Sequence, residues 1–286
     1  MRKRNAALAI AWIIAAIFVA VPYLVGVRLA PDTVSGLLAL DRIRDGSVLF
    51  IGSSLTRCAI PYDAAFATLA DAQGLHLDLV RITLPTATQE DFADAIDRIG
   101  TTRASLVLIE AEMLLRQPDS RLRRTGIAGM AYSYMAQVRA LWVRLGLRGT
   151  EKSENTGNRE CKLLDRSASL QDVEYVATLP HEVRSDPWLP PFRSILESGR
   201  LHGKKVVVVS LGRSAGLEAK LDPGYREAFR SALRKIRDEK RIEVWVFPSE
   251  RLSDADYSDG GHLNAQGRIV FTHWLIQQLA ADRAGN

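Results

Sequence analysis

Cysteine is scarce in this chain. Cys58 and Cys161 are the only two in 286 residues, too few to write a disulfide framework. Cys58, in a helix expected after a turn, reads as a small buried side chain. Outside the carboxyl-terminal His262, the histidines His76, His181, His202 and His273 lack carboxylate or cysteine companions at ligand spacing, so no metal site is expected. Neither a glycine-rich phosphate loop nor a dinucleotide fingerprint occurs, and no cofactor is expected. The net charge of +5 suits anionic partners such as lipid headgroups or acidic glycans. Zinc-finger, helix-turn-helix and RNA-binding signatures are all missing, which argues against a nucleic-acid partner.

Charge is also missing from one long stretch near the amino end. Met1-Arg2-Lys3-Arg4 is followed by an uncharged run from Ala6 to Val27, long enough at about 1.5 Å per residue to cross a hydrocarbon layer of about 30 Å. Residues 1–28 therefore read as a cytoplasmic tip and one transmembrane anchor. The alternative is a secretory signal peptide, whose apolar core is normally about 7–15 residues and whose cleavage needs a small-x-small site that Val27-Arg28-Leu29-Ala30-Pro31 lacks. The basic tripeptide holds the amino end inside. The expected location is the inner (cytoplasmic) membrane, single-pass, with the bulk of the chain periplasmic or extracellular.

Residues 29–46 read as a connector and 47–284 as one domain. Strands are expected at Val48–Ile51, Leu77–Ile82, Ser105–Ile109, Lys205–Ser210 and Ile242–Phe247, with helices at Tyr62–Ala72, Gln89–Ile99, Tyr225–Glu239 and from Ala265. Strands alternating with helices predict an α/β fold, a three-layer α/β/α sandwich around a five-stranded parallel sheet. An insert at about 113–203 interrupts it. Within the insert Ile127, Met130, Tyr134, Val138, Leu141 and Leu145 recur at helical spacing, either a helix packed on the domain or a partner or membrane-surface helix served by Arg116, Arg121, Arg123 and Arg124.

Two stretches carry chemistry. Val48-Leu49-Phe50-Ile51 runs into Gly52-Ser53-Ser54-Leu55, a buried strand delivering Ser54 onto a tight turn at the carboxyl edge of a sheet, though such a turn is also plain loop chemistry. Near the other end, Asp259-Gly260-Gly261-His262 puts an acid and an imidazole on one glycine-rich turn. Either Asp259 orients and charges His262, or it only caps the turn. A second serine, Ser214 in Gly212-Arg213-Ser214-Ala215-Gly216, matches the Gly-x-Ser-x-Gly elbow of α/β-hydrolases, a fold that needs more strands after the elbow than Ile242–Phe247 alone supplies.

Taken together, Gly52-Ser53-Ser54-Leu55 and Asp259 with His262, trailed by Asn264 and Gly267, resemble the paired blocks of the SGNH, or GDSL-type, serine esterases and acyltransferases, with Ser53 in place of the family's Asp. The resemblance implies a flavodoxin-like α/β fold, Ser54 as nucleophile, His262 as general base and Asp259 as its orienter. It implies an oxyanion hole built from the backbone at Ser54 and at Thr86, which stands where the family has a glycine. At the family's third donor, an asparagine, this chain has Glu112. An ionised carboxylate there would oppose an oxyanion, and loss of one such donor typically costs about 10²–10³ in rate.

The expected function is thus a membrane-tethered, extracytoplasmic serine acyl-ester hydrolase or O-acyltransferase acting on acyl esters of envelope or secreted polysaccharide. Expected partners are the bilayer, the acylated glycan and a membrane acyl-transfer or polysaccharide-export protein, with Arg116, Arg124 and Trp188 as substrate-binding residues. The alternative is a non-catalytic glycan-binding or assembly protein that keeps the fold.

Overall fold

The apolar runs pair into one sheet because each supplies a row of backbone groups that can be buried only if hydrogen-bonded to a neighbour. In the computed structural model of the protein, the described residues are 40, 43–61, 63–84, 87–92, 99–117, 161–179, 181–184, 186, 190, 192–193, 196–197, 203–240 and 242–285. The strands are β1 (Val48–Gly52), β2 (Leu79–Thr83), β3 (Leu106–Glu110), β4 (Lys205–Ser210) and β5 (Glu243–Val246), all parallel, in the order β2-β1-β3-β4-β5. The sheet order turns back between β1 and β3, and in such sheets the crevice beyond the carboxyl ends of those two strands is where ligands are bound.

Side chains alternate across the sheet. Leu49, Ile51, Val80, Ile82, Val107, Ile109 and Val208 enter one core. Val48, Phe50, Leu79, Leu106, Leu108, Val207 and Val209 enter the other. β1, β2 and β3 are buried on both faces, which is why such strands read as near-continuous apolar runs rather than as alternating ones. The first core is covered by α3 (Ala111–Leu115) and by α6 (Pro223–Lys240), through Phe229, Ala232, Leu233 and Ile236 at helical spacing. The second is covered by α2 (Asp63–Asp71), through Phe66 and Ala70, and by α7 (Ala265–Gly285), through Phe271, Trp274, Leu275 and Leu279.

The expected helix after the turn, which carries Cys58, is α1 (Ser54–Ala59), whereas α3, α4 (Leu170–Thr178) and α5 (Ala215–Lys220) were not expected. None of these four exceeds nine residues, and packing holds them, with side-chain caps from Ser53, Ser169 and Ser214 on α1, α4 and α5. Where a helix was expected over Gln89–Ile99, a 3-10 turn covers Gln89–Phe92 and residues 99–100 are helical, while 93–98 lie outside the described residues. Also outside them are the expected membrane span, the apolar stripe from Ile127 to Leu145, and Thr86, Arg124 and Trp188. Among the described residues no helix is long and apolar enough to cross a membrane.

Cys58 is buried as expected, and it carries a bond that two isolated cysteines do not announce. It is bonded to Cys161, 103 residues away, with the two Cα atoms 4.9 Å apart. Pairing depends on where the chain returns in space, which two isolated cysteines do not encode. From Cys161 the chain runs along the loop before α7: Ala265 N–H donates to Leu164 O at 2.9 Å and Ala168 N–H to Tyr257 O at 2.7 Å.

Candidate active site

Ser54 begins α1, immediately beyond the carboxyl end of β1. Ser53 is the N-cap, its hydroxyl accepting from Leu55 N–H at 3.1 Å. Gly52 before it admits no side chain, because a Cβ there would collide with Thr56 Oγ1 and approach Glu110 Oε2 to 2.6 Å. The residue that fills this space, Glu110 at the end of β3, is fully buried and takes four hydrogen bonds. Its Oε2 accepts from Ser53 N–H at 2.7 Å, Thr56 N–H at 3.1 Å and Thr56 Oγ1 at 2.6 Å, and its Oε1 accepts from Ser53 Oγ at 2.5 Å.

The other end of α1 is met by cations. Arg81 of β2 donates to Arg57 O at 3.0 Å and to Ile60 O, while Arg268 of α7 donates to Cys58 O at 2.8 Å and Arg57 O at 3.1 Å. Thr272 Oγ1 adds a bond to Ala59 O at 3.3 Å. A carboxylate at the amino end and guanidinium groups at the carboxyl end match the polarity of a helix and satisfy backbone groups it cannot pair internally.

Asp259 and His262 lie between β5 and α7, in a loop closed by the Tyr257–Leu263 bridge. Ser258 N–H donates to His262 O at 2.8 Å. Gly260 has φ of 86°, and a Cβ there would press within 3.3 Å of Leu217, Ser214 and Val173, so both conformation and space require glycine. Asn264 caps α7, its Oδ1 accepting from Gln266 N–H at 3.1 Å and Gly267 N–H at 3.2 Å.

Asp259 makes both sets of bonds, one on each oxygen. Oδ1 caps the turn, accepting from Gly261 N–H at 3.0 Å and His262 N–H at 2.7 Å, while Oδ2 lies 2.7 Å from His262 Nδ1. His262 Nε2 lies 2.9 Å from Ser54 Oγ, across 208 residues of sequence. A carboxylate only accepts, so Nδ1 carries the imidazole proton and Nε2 is left as acceptor for the serine hydroxyl. Burial pushes the Asp259 pKa up, but the hydrogen bond and charge of His262 and the two turn amides outweigh it and hold the carboxyl below its usual range. Asp259 is therefore ionised wherever His262 acts as a base.

Of the first amides of α1, most are already taken within the protein. Ser53 and Thr56 N–H go to Glu110, Leu55 N–H to Ser53 Oγ, and Arg57 N–H to Ser53 O at 3.2 Å. Ser54 N–H stands at the first helical position, where a helix offers it no acceptor.

Glu112, on α3, is buried, with Oε1 accepting from Ser210 Oγ at 3.0 Å and Oε2 without a partner. Burial first, opposed by Arg213 and reinforced by Glu110, raises its pKa from 4.5 to about 7. The folded protein thus holds a proton that the unfolded chain releases. The stability this contributes is full below pH 4.5 and is lost as pH rises through about 7. Glu112→Gln, which cannot ionise, is expected to raise the melting temperature relative to wild type at pH 8 and to leave the difference near zero at pH 4.5 in paired thermal melts. An equal shift at both pH values would contradict an ionising Glu112.

Ser214 is not a second nucleophile: it is buried and caps α5, its Oγ accepting from Leu217 N–H at 3.1 Å, and its N–H donates to Gly260 O at 2.9 Å. It forms part of the seat under the acid–imidazole loop. Arg116 is exposed, and its carbonyl accepts from Arg184 Nε at 2.7 Å. Among the described residues no group of acidic, cysteine and histidine side chains is placed to hold a metal. Glu110 belongs to no motif, although a carboxylate closing a wholly apolar strand, Leu106-Val107-Leu108-Ile109-Glu110, is a signal that something polar waits at that strand's end.

The site is a serine–imidazole–carboxylate constellation at the carboxyl edge of a doubly wound parallel sheet. No family model matches the chain, and no curated protein matches it. Among solved structures it is similar to the psychrotrophic esterase EstA from Pseudoalteromonas sp., at 12% identity and a TM-score of 0.45, covering 85% of this chain and 100% of that one. It is also similar to a lipolytic protein of the G-D-S-L family from Desulfitobacterium hafniense (10%, TM-score 0.42, 82% and 99%) and to TesA (13%, 0.42, 80% and 97%). What the site can do follows from its own geometry.

Proposed function

We propose that the chain is a serine acyl-ester enzyme, tethered to a membrane by its amino-terminal segment and facing away from the cytoplasm. The observation that carries this reading is the chain of hydrogen bonds from Ser54 Oγ through His262 to Asp259, at 2.9 and 2.7 Å. In the reaction, Ser54 Oγ attacks an ester carbonyl while His262 Nε2 takes its proton, and Asp259 stabilises the imidazolium. Ser54 N–H receives the developing oxyanion, with the backbone at Thr86 as the expected second donor. Collapse breaks the ester C–O bond, His262 returns the proton to the departing alcohol, and the acyl group stays on Ser54. Water then releases the acid, or a hydroxyl of an acceptor takes the acyl group.

We favour transfer to a polysaccharide hydroxyl. An acyl-enzyme that serves a transferase must outlast encounters with water, and a single unassigned helical amide with a buried carboxyl of raised pKa two residues beyond β3 suits slow hydrolysis better than fast. The Cys58–Cys161 disulfide supports an oxidising compartment, as does the uncharged Ala6–Val27 run.

With full-length protein in detergent, turnover of an activated acetyl ester is expected to be slow, and to rise at least several-fold when a neutral or acidic oligosaccharide is added, with acetyl found on the sugar by mass spectrometry. Fast hydrolysis indifferent to any glycan would leave a plain esterase. Absence of an acyl-enzyme under every condition would leave the glycan-binding alternative.

A further inference from the structure

We propose that Glu110 is a positioning residue for Ser54: its buried carboxylate, clamped on the residues to either side of the serine, presents Ser54 Oγ to His262 and reserves Ser54 N–H for the oxyanion. The proposal rests on the reading of Ser54 as nucleophile.

A six-residue helix is too short to hold itself, so the aim of its first side chain is set by what grips it. Glu110 comes from a different strand, β3, hydrogen-bonded to β1 through the register that ends at Ile51–Ile109, so the grip refers Ser54 to the rigid middle of the sheet rather than to its own loop. The carboxylate engages Ser53 by amide and hydroxyl and Thr56 by amide and hydroxyl, and it skips Ser54. Rotation of the turn in either direction breaks at least one of these bonds around a carboxylate that has no exposure to water, where an orphaned donor is costly.

The same engagement has a chemical effect. An amide free beside Ser54 could compete for the substrate carbonyl in a wrong geometry, and Glu110 removes the Ser53 and Thr56 amides from that competition. Gly52 belongs to the device: any side chain there would displace the carboxylate and Thr56. Glu110 touches neither Ser54 Oγ nor His262 in these bonds, so its effect on chemistry passes through the turn.

The test uses full-length Glu110→Ala, Glu110→Gln and Thr56→Val, with the rate of covalent capture by a fluorophosphonate, kcat and KM on an activated acetyl ester, the pH profile and a thermal melt as readouts. An amide oxygen standing where Oε2 stands can accept the same three donors, so Glu110→Gln is expected to stay within about 10-fold of wild type. Glu110→Ala is expected to lose about 100-fold in capture rate and kcat, with KM within about twofold, as for a reacting group displaced by about 1 Å. The pH midpoint should not move in any variant, because the His262–Asp259 pair is untouched. Thr56→Val, which keeps shape and deletes one tether, is expected to lose several-fold in the same quantities.

A folded Glu110→Ala that captures the probe at the wild-type rate would overturn the proposal, as would Glu110→Gln as damaged as Glu110→Ala, which would assign the effect to charge. Should Glu110→Ala not fold, Thr56→Val decides: an unchanged kcat overturns the proposal. Failure of the underlying reading looks different, as capture that persists in Ser54→Ala.

Discussion

Ser54→Ala and His262→Ala are each expected to abolish covalent capture by a fluorophosphonate and to reduce ester turnover to background, a loss of up to about 10⁶-fold, because the nucleophile and its base act as one unit. Neither side chain is fully buried, so thermal unfolding should be nearly unchanged. The instructive variant is Asp259→Asn. An asparagine can keep capping the turn through Oδ1 but presents N–H to His262 Nδ1, which moves the imidazole proton to Nε2 and leaves no acceptor for Ser54. A loss of about 10⁴-fold in kcat with little change in stability is expected, the size associated with a wrong tautomer. The captured peptide, sequenced by mass spectrometry, should contain Ser54. Capture on Ser214 would contradict its role as the cap of α5.

The second large effect concerns the disulfide. Closing a loop of about 100 residues removes on the order of 4.7 kcal/mol from the unfolded chain in the entropy treatment, and loss of a native bridge more commonly costs about 2–5 kcal/mol. A Cys58→Ala, Cys161→Ala double variant is expected to melt about 10 °C lower. It should also capture the fluorophosphonate more slowly, since Cys58 lies on the helix that carries Ser54 and Cys161 opens the segment stitched to the acid–imidazole loop. Alkylation of the protein in its native membrane fraction, without prior reduction, should leave Cys58 and Cys161 joined. Recovery of both as alkylated thiols would contradict the bridge and, with it, the outward-facing location.

Much of the site was legible because its parts are local. The Gly52-Ser53-Ser54 turn follows a four-residue apolar run, and Asp259-Gly260-Gly261-His262 is one loop whose glycines, acid and imidazole satisfy each other within four residues. Such arrangements write themselves in adjacent positions. Glu112 shows the limit: its place in the sequence marked it, but only its burial, the bond from Ser210 Oγ and the neighbouring charges of Arg213 and Glu110 decide that it titrates near neutrality. Ser214 shows the same limit from the other side, since Gly-x-Ser-x-Gly was present and the serine proved to be a helix cap.

The sequence by itself determined the sheet, since five apolar runs separated by helix-forming segments can bury both faces only as a parallel, helix-covered layer. It also determined which serine, histidine and aspartate to set side by side. The tertiary structure alone decided how Ser54 is held. Glu110 at its amino end, Arg81 and Arg268 at its carboxyl end and Cys161 on its flank come from β3, β2, α7 and a segment 103 residues distant from Cys58. These partners share no spacing with α1. They meet it because a six-residue helix at the mouth of a sheet has more backbone groups to satisfy than it can pair itself, and the fold delivers the charges that do so.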